Sequence, residues 1–131
     1  MSVPMQRVLG VAPNIGAAVQ IPVFYMTGTN DDGPIGSTRA ADRRVAFDQT
    51  ESVPAYLLTF KGGDHMVFAR FRASFPHDED FHRLILTAST AFWDAYLKHD
   101  AAARHYLSGV GFEEALGGEG TFEKKGVSSS R

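Results

Sequence analysis

The sequence predicts an α/β protein, and three observations carry that prediction. Two apolar runs of strand length, IPVFYMTG from Ile21 and AYLLTFKG from Ala55, are hydrophobic on successive positions, the pattern of strands covered on both faces. Both break at glycine, Gly28 in the first and Gly62 with Gly63 in the second, directly before polar residues. Helical patterns come after each run, the longest from about Phe81 to His99.

Taken in order, RVLGVAP at Arg7 to Pro13 reads as a short strand, interrupted by Gly10 and ended by Pro13. The run from Ile21 is a second strand. From Ser37 to about Thr50, Ala40, Ala41, Val45, Ala46 and Phe47 recur among polar residues, a modest amphipathic helix with Ser37 as its cap. Pro54 starts the next strand, AYLLTFKGGDH. In the long helix Phe81, Leu84, Ile85, Ala88, Phe92, Ala95 and Tyr96 share one face, which Leu86, Trp93 and Leu97 widen. Asp100 suits the cap of a second helix, AAARHYL, continuing the first with a bend. Beyond Gly109 the chain is glycine-rich and ends in KKGVSSSR, the composition of a mobile surface tail. Strand, strand, helix, strand, long helix is the order of an open sheet with right-handed crossovers.

Length and composition bound what such a sheet can do. At 131 residues one core is expected, and 44% hydrophobic with 21% charged residues is the balance of a soluble globular protein. A net charge of −2, with acids and bases interspersed, invites neither nucleic acid nor an anionic membrane. Cysteine is absent, which removes disulfides, zinc-thiolate sites and a thiol nucleophile. No signal peptide or membrane-length apolar span is legible, and a cytoplasmic location is expected.

In open parallel sheets the functional groups gather beyond the carboxyl ends of the strands. Asp31 and His65 both fall there, a few residues past a buried run and just after glycine. A carboxylate bonded to one imidazole nitrogen fixes the ring's tautomer and leaves the other nitrogen to take a proton from a nucleophile. Asp32 competes with Asp31 for the role of orienting acid, while Asp64, adjacent to His65, projects away from the ring. Asp31, Asp32, Asp64 and His65 together also offer the donor types of a metal site, but no second histidine stands at ligand spacing. His77 and His82 flank DEDF, a cluster that helix capping and solvation explain more simply.

IPVFYMTGTNDDGPIG, LLTFKGGDHMVF and AFWDAYLKHDAAARHYL, in this order, resemble the last third of an α/β-hydrolase. The likeness is greatest to the branch of dienelactone hydrolases and platelet-activating-factor acetylhydrolase-like esterases. It covers residues 7 to 107 and implies a C-terminal part of that fold: about three parallel strands, a connecting helix and a long C-terminal helix. It divides the chain into a partial hydrolase domain at 1–108 and a flexible Gly/Ser-rich tail at 109–131. The implied triad acid is Asp31, in Gly28-Thr29-Asn30-Asp31, and the implied base is His65, in Gly62-Gly63-Asp64-His65.

One departure outweighs the matches. The family's nucleophile stands in G-x-S-x-G upstream of the acid, and this chain has no such elbow. The resemblance therefore implies a fragment of a serine esterase or related acyl hydrolase, with acid and base but no nucleophile, inactive in isolation. Its partner would be a small-molecule ester, with no cofactor. An uncovered edge on the first strand would favour self-association. The competing expectation is a non-catalytic α/β module, and Ser37, Ser74 and Ser108 are the serines in which a nucleophile would have to hide.

Overall fold

The computed structural model describes residues 15–33, 38–68 and 77–127. Strands β1 (Val23–Asn30) and β2 (Ala55–Asp64) run parallel, with Val23 opposite Ala55 and Gly28 opposite Phe60. A third strand, β3 (Gly120–Lys125), lies antiparallel on the other edge of β2, so the order is β1-β2-β3. β1 and β2 are parallel, as the sequence predicts, and β3, a strand the sequence reading did not predict, makes the sheet mixed. The strand predicted at Arg7 to Pro13 and the cap predicted at Ser37 lie outside the described residues.

Four α-helices accompany the sheet among the described residues. A 3-10 turn at Ala40–Arg44 leads into α1 (Val45–Gln49), which links β1 to β2. The long helix α2 (Asp78–Tyr96) starts three residues before the predicted Phe81, with Asp78, Glu79 and Asp80 in the first turn, where the helix dipole favours acids. Helix α3 (Ala101–Ser108) begins after a bend at which His99 has a φ of 56°. Asp100 caps it as predicted, its carboxylate accepting from the amides of Ala102 and Ala103. Helix α4 (Gly111–Leu116) and then β3 follow it.

These elements form three layers. On one face of β2, Tyr56, Leu58 and Phe60 pack with Phe81, Leu84, Ala88 and Phe92 of α2, and with Leu107, Phe112, Leu116 and Phe122. On the other face, Ala55 and Leu57 pack with Phe47 of α1, and Val23 and Tyr25 of β1 join them. Three apolar residues assigned from sequence to the buried face of α2 are instead exposed, Leu86 at 68%, Trp93 at 55% and Leu97 at 69%. No helix among the described residues is long and apolar enough to cross a membrane.

Of the 109–131 segment expected as a mobile tail, the described part up to residue 127 belongs to the core. Phe112, Leu116 and Phe122 are buried, and the Phe122 ring lies nearly parallel to that of Tyr56 at 9°, centroids 5.8 Å apart. Burial of large apolar side chains, each contributing about 1.5–3 kcal/mol, outweighs the flexibility of the glycines between them. Arg44 adds a surface clasp, bonding both Asp48 and Glu123 and so tying α1 to β3. Its guanidinium holds the Asp48 carboxyl below the usual range, so what this clasp contributes is present at neutral pH and lost as pH falls through the carboxylate range.

Replacing Phe112 with Ala is expected to destabilise the protein by about 3–5 kcal/mol in urea denaturation, the range for a large aromatic lost from a core. A cost below about 0.5 kcal/mol, typical of surface positions, would show that the C-terminal segment is not docked.

Candidate active site

The site is built where the β1–β2 register slips. Gly28 stands opposite Phe60 and Asn30 opposite Asp64, so Thr29 alone faces Lys61, Gly62 and Gly63. The extra residues of β2 form a bulge, which bends the strand and re-aims the side chains beyond it. Gly62 takes a φ of 78°, and the bulge is pinned to β1 by the Gly62 amide donating to Thr29 Oγ1 at 2.8 Å. The two backbones touch there. A Cβ on Gly28 would stand 2.1 Å from the Gly63 carbonyl oxygen, so only glycine permits the approach.

Just beyond this contact the two predicted residues meet. His65 Nδ1 lies 2.9 Å from Asp31 Oδ1. An ionised carboxylate only accepts, so Nδ1 carries the proton, and in the neutral ring Nε2 keeps its lone pair. Nε2 makes no hydrogen bond to the described residues, and the His65 side chain is 53% exposed. Asp31, in contrast, is 4% exposed. Its other oxygen accepts from Thr27 Oγ1 at 2.8 Å, and Arg43 approaches Oδ1 at 3.5 Å while its Nε donates to the Asp31 carbonyl at 3.1 Å. A buried carboxylate needs such partners, because an unpaired one costs several kcal/mol in desolvation.

The alternatives separate cleanly. Asp32 Oδ1 accepts from the Ala40 amide at 2.8 Å and so braces the 3-10 turn carrying Arg43. Asp64 Oδ1 accepts from the Met66 amide and shapes the turn His65–Phe68. That turn is held from below by buried Val67, whose carbonyl accepts from His82 Nε2 at 2.7 Å. Thr27 and Arg43 were not singled out by their sequence pattern, and His82 only as a flank of DEDF, with no link to the strand ends. Thr27 had a signal, a hydroxyl inside an apolar run four residues before Asp31, whereas Arg43 comes from another element and gave none.

A potential metal-ligand trio among the described residues is His77, Asp80 and Glu119, with donor atoms within 4.8 Å of one another, and it shares no residue with the strand-end acids. Ser108 is 3% exposed and lines a pocket beside Pro54, at the start of β2, whereas His65 comes after its end. Its hydroxyl is therefore separated from the imidazole by the length of the strand, roughly 30 Å at the usual rise. Ser37 and Ser74 lie outside the described residues. No protein-family model, curated protein or solved structure matches the chain.

Substitution tests the pairing directly. A downfield imidazole Nδ1 proton in NMR spectra is expected to vanish in Asp31→Asn and to persist in Asp32→Asn; the reverse would assign the acid to Asp32. Gly28→Ala is expected to abolish the same signal and to lower stability by about 1–3 kcal/mol, the cost of forcing atoms into filled space. An unchanged spectrum in that variant would mean the two strands meet differently.

Proposed function

We propose that Asp31 and His65 are the acid and base of a Ser-His-Asp hydrolase site acting on a carboxylic ester or related acyl substrate. The observation that carries the reading is the 2.9 Å contact between a buried, fully partnered carboxylate and an imidazole whose second nitrogen faces outward. In this mechanism Nε2 removes the proton of an attacking hydroxyl and later returns it to the leaving group, while Asp31 stabilises the imidazolium formed between. Thr27 and Arg43 keep Asp31 in place through both steps.

The hydroxyl comes from outside the described residues. Ser108 stands at the other end of β2, and Ser89 lines a groove with Pro22 and Val23 at the start of β1. The resemblance of the two strand-end motifs to α/β-hydrolases supports a serine on a separate strand-to-helix elbow, with backbone amides beside it for the oxyanion.

Two measurements test the proposal. The purified 131-residue chain is expected to hydrolyse p-nitrophenyl acetate no faster than its His65→Ala variant, because each missing oxyanion amide forfeits about 10²–10³ in rate. Wild-type turnover above that of the variant would place a nucleophile within the chain. The second is fluorophosphonate enrichment from cells that make the protein. Recovery of the tryptic peptide Leu84–Lys98, lost when Asp31 is changed to Asn, supports the hydrolase. Its absence from the enriched fraction while present in the input would overturn that reading.

A further inference from the structure

A pocket of about 120 Å³ opens at the end of the sheet opposite the dyad, lined by Pro54, Tyr96, Arg104, Ser108, Gly126 and Val127. Its polar side chains, Tyr96, Arg104 and Ser108, all have a proton to give. Arg104 and Ser108 are one turn apart on α3, so both side chains face the same way. The Arg104 guanidinium lies 5.0 Å from the centroid of the Tyr96 ring, an arrangement that holds its planar fork at the pocket. No carboxylate among the described residues pairs with Arg104, and none lines the pocket.

Ser108 is the more telling group. The residue is 3% exposed, yet its hydroxyl makes no hydrogen bond to any described residue. No buried side-chain oxygen among the described residues is left without a partner, so this hydroxyl opens onto the pocket, where it can donate to and accept from a ligand. Tyr96 supplies a third donor. Its hydroxyl is 2.6 Å from that of Tyr56, which is fully buried and whose proton burial makes harder to remove. When Tyr56 donates to Tyr96, the Tyr96 hydroxyl is free to donate outward. Lys124, whose ammonium bonds the Gly109 carbonyl just past Ser108, adds positive charge nearby.

We infer that this pocket binds the carboxylate of a small organic acid, with the Arg104 fork on its two oxygens and the Ser108 and Tyr96 hydroxyls completing their hydrogen bonds. The volume equals that of roughly four waters, enough for a carboxylate and a short carbon chain. A carboxylate fits better than a phosphate. Its two coplanar oxygens match one guanidinium and two hydroxyls, whereas four phosphate oxygens would outnumber those donors. Pro54 and Val127 offer apolar surface to the carbons. The site stands apart from the hydrolase reading, since Pro54 and His65 flank opposite ends of β2.

The experiment is an NMR titration of the 131-residue chain with propionate at constant ionic strength, monitoring the amides of Ser108, Gly109, Gly126 and Val127. Saturable shifts confined to these amides are expected. Arg104→Met is expected to weaken binding at least about tenfold, the loss of a charge-assisted fork, and Ser108→Ala by a smaller factor. Propionamide, of similar shape without the charge, should produce no saturable shift. Shifts that rise linearly, or that persist unchanged in Arg104→Met, would overturn the site. Tighter binding of inorganic phosphate than of propionate would overturn the assignment to a carboxylate. Arg104 is exposed, so its variant is expected to fold; should it not, Ser108→Ala binding propionate as the wild type does would equally overturn the site.

Discussion

The structure depends on β2 being enclosed. It has a strand on each edge and a helical layer on each face, and Ala55, Tyr56, Leu57, Leu58 and Phe60 are all but inaccessible to water. A strand in that position can carry no unpartnered polar side chain along its buried length, because each would forfeit the desolvation free energy of its group. Polar chemistry is thereby confined to the two ends of the strand. The glycines at 62 and 63 mark where enclosure stops, and the bulge they form turns the chain toward β1 just before His65.

That constraint explains what was legible in the sequence. A strand buried on both faces shows as an unbroken apolar run, so β1 and β2 were read within about two residues of their ends. Asp31 and His65 were legible for the same reason, as ionisable residues two or three positions past the glycine at each break. The choice between Asp31 and Asp32 was not, because adjacent acids in a turn differ only in which way the backbone aims them. The turn closed by the Asp31 amide on the Gly28 carbonyl sends Asp31 inward and leaves Asp32 to the Ala40 amide.

The stretch from Gly111 to Lys125 was misread because composition hid its pattern. Helix α4 has six residues and β3 has six, each too short to show a period, and glycines separate them. What decides their fate is three large apolar side chains meeting a surface already built by Tyr56 and Leu107. Such contacts between distant segments are invisible to a local window. The same limit applies to Leu86, Trp93 and Leu97, whose spacing placed them beside the core face of α2 although no described element covers them.

Strand direction then determines which residues meet at each end. Because β1 runs parallel to β2, both finish on the same side, and the residues just past them, Asp31 and His65, are brought together. Because β3 runs antiparallel, it finishes where β2 starts, with Lys125 opposite Ala55, and this carries Gly126 and Val127 to Pro54. Helix α3 ends on that side too, delivering Ser108 and Arg104. The mixed sheet thus gives the molecule two polar ends of different character. One has a buried carboxylate orienting an exposed imidazole, suited to moving a proton; the other has an arginine and hydroxyls with no acid beside them among the described residues, suited to holding an anion. A parallel β3 would have finished beside the dyad instead, placing Gly126 and Val127 over His65 and leaving Ser108 without its pocket.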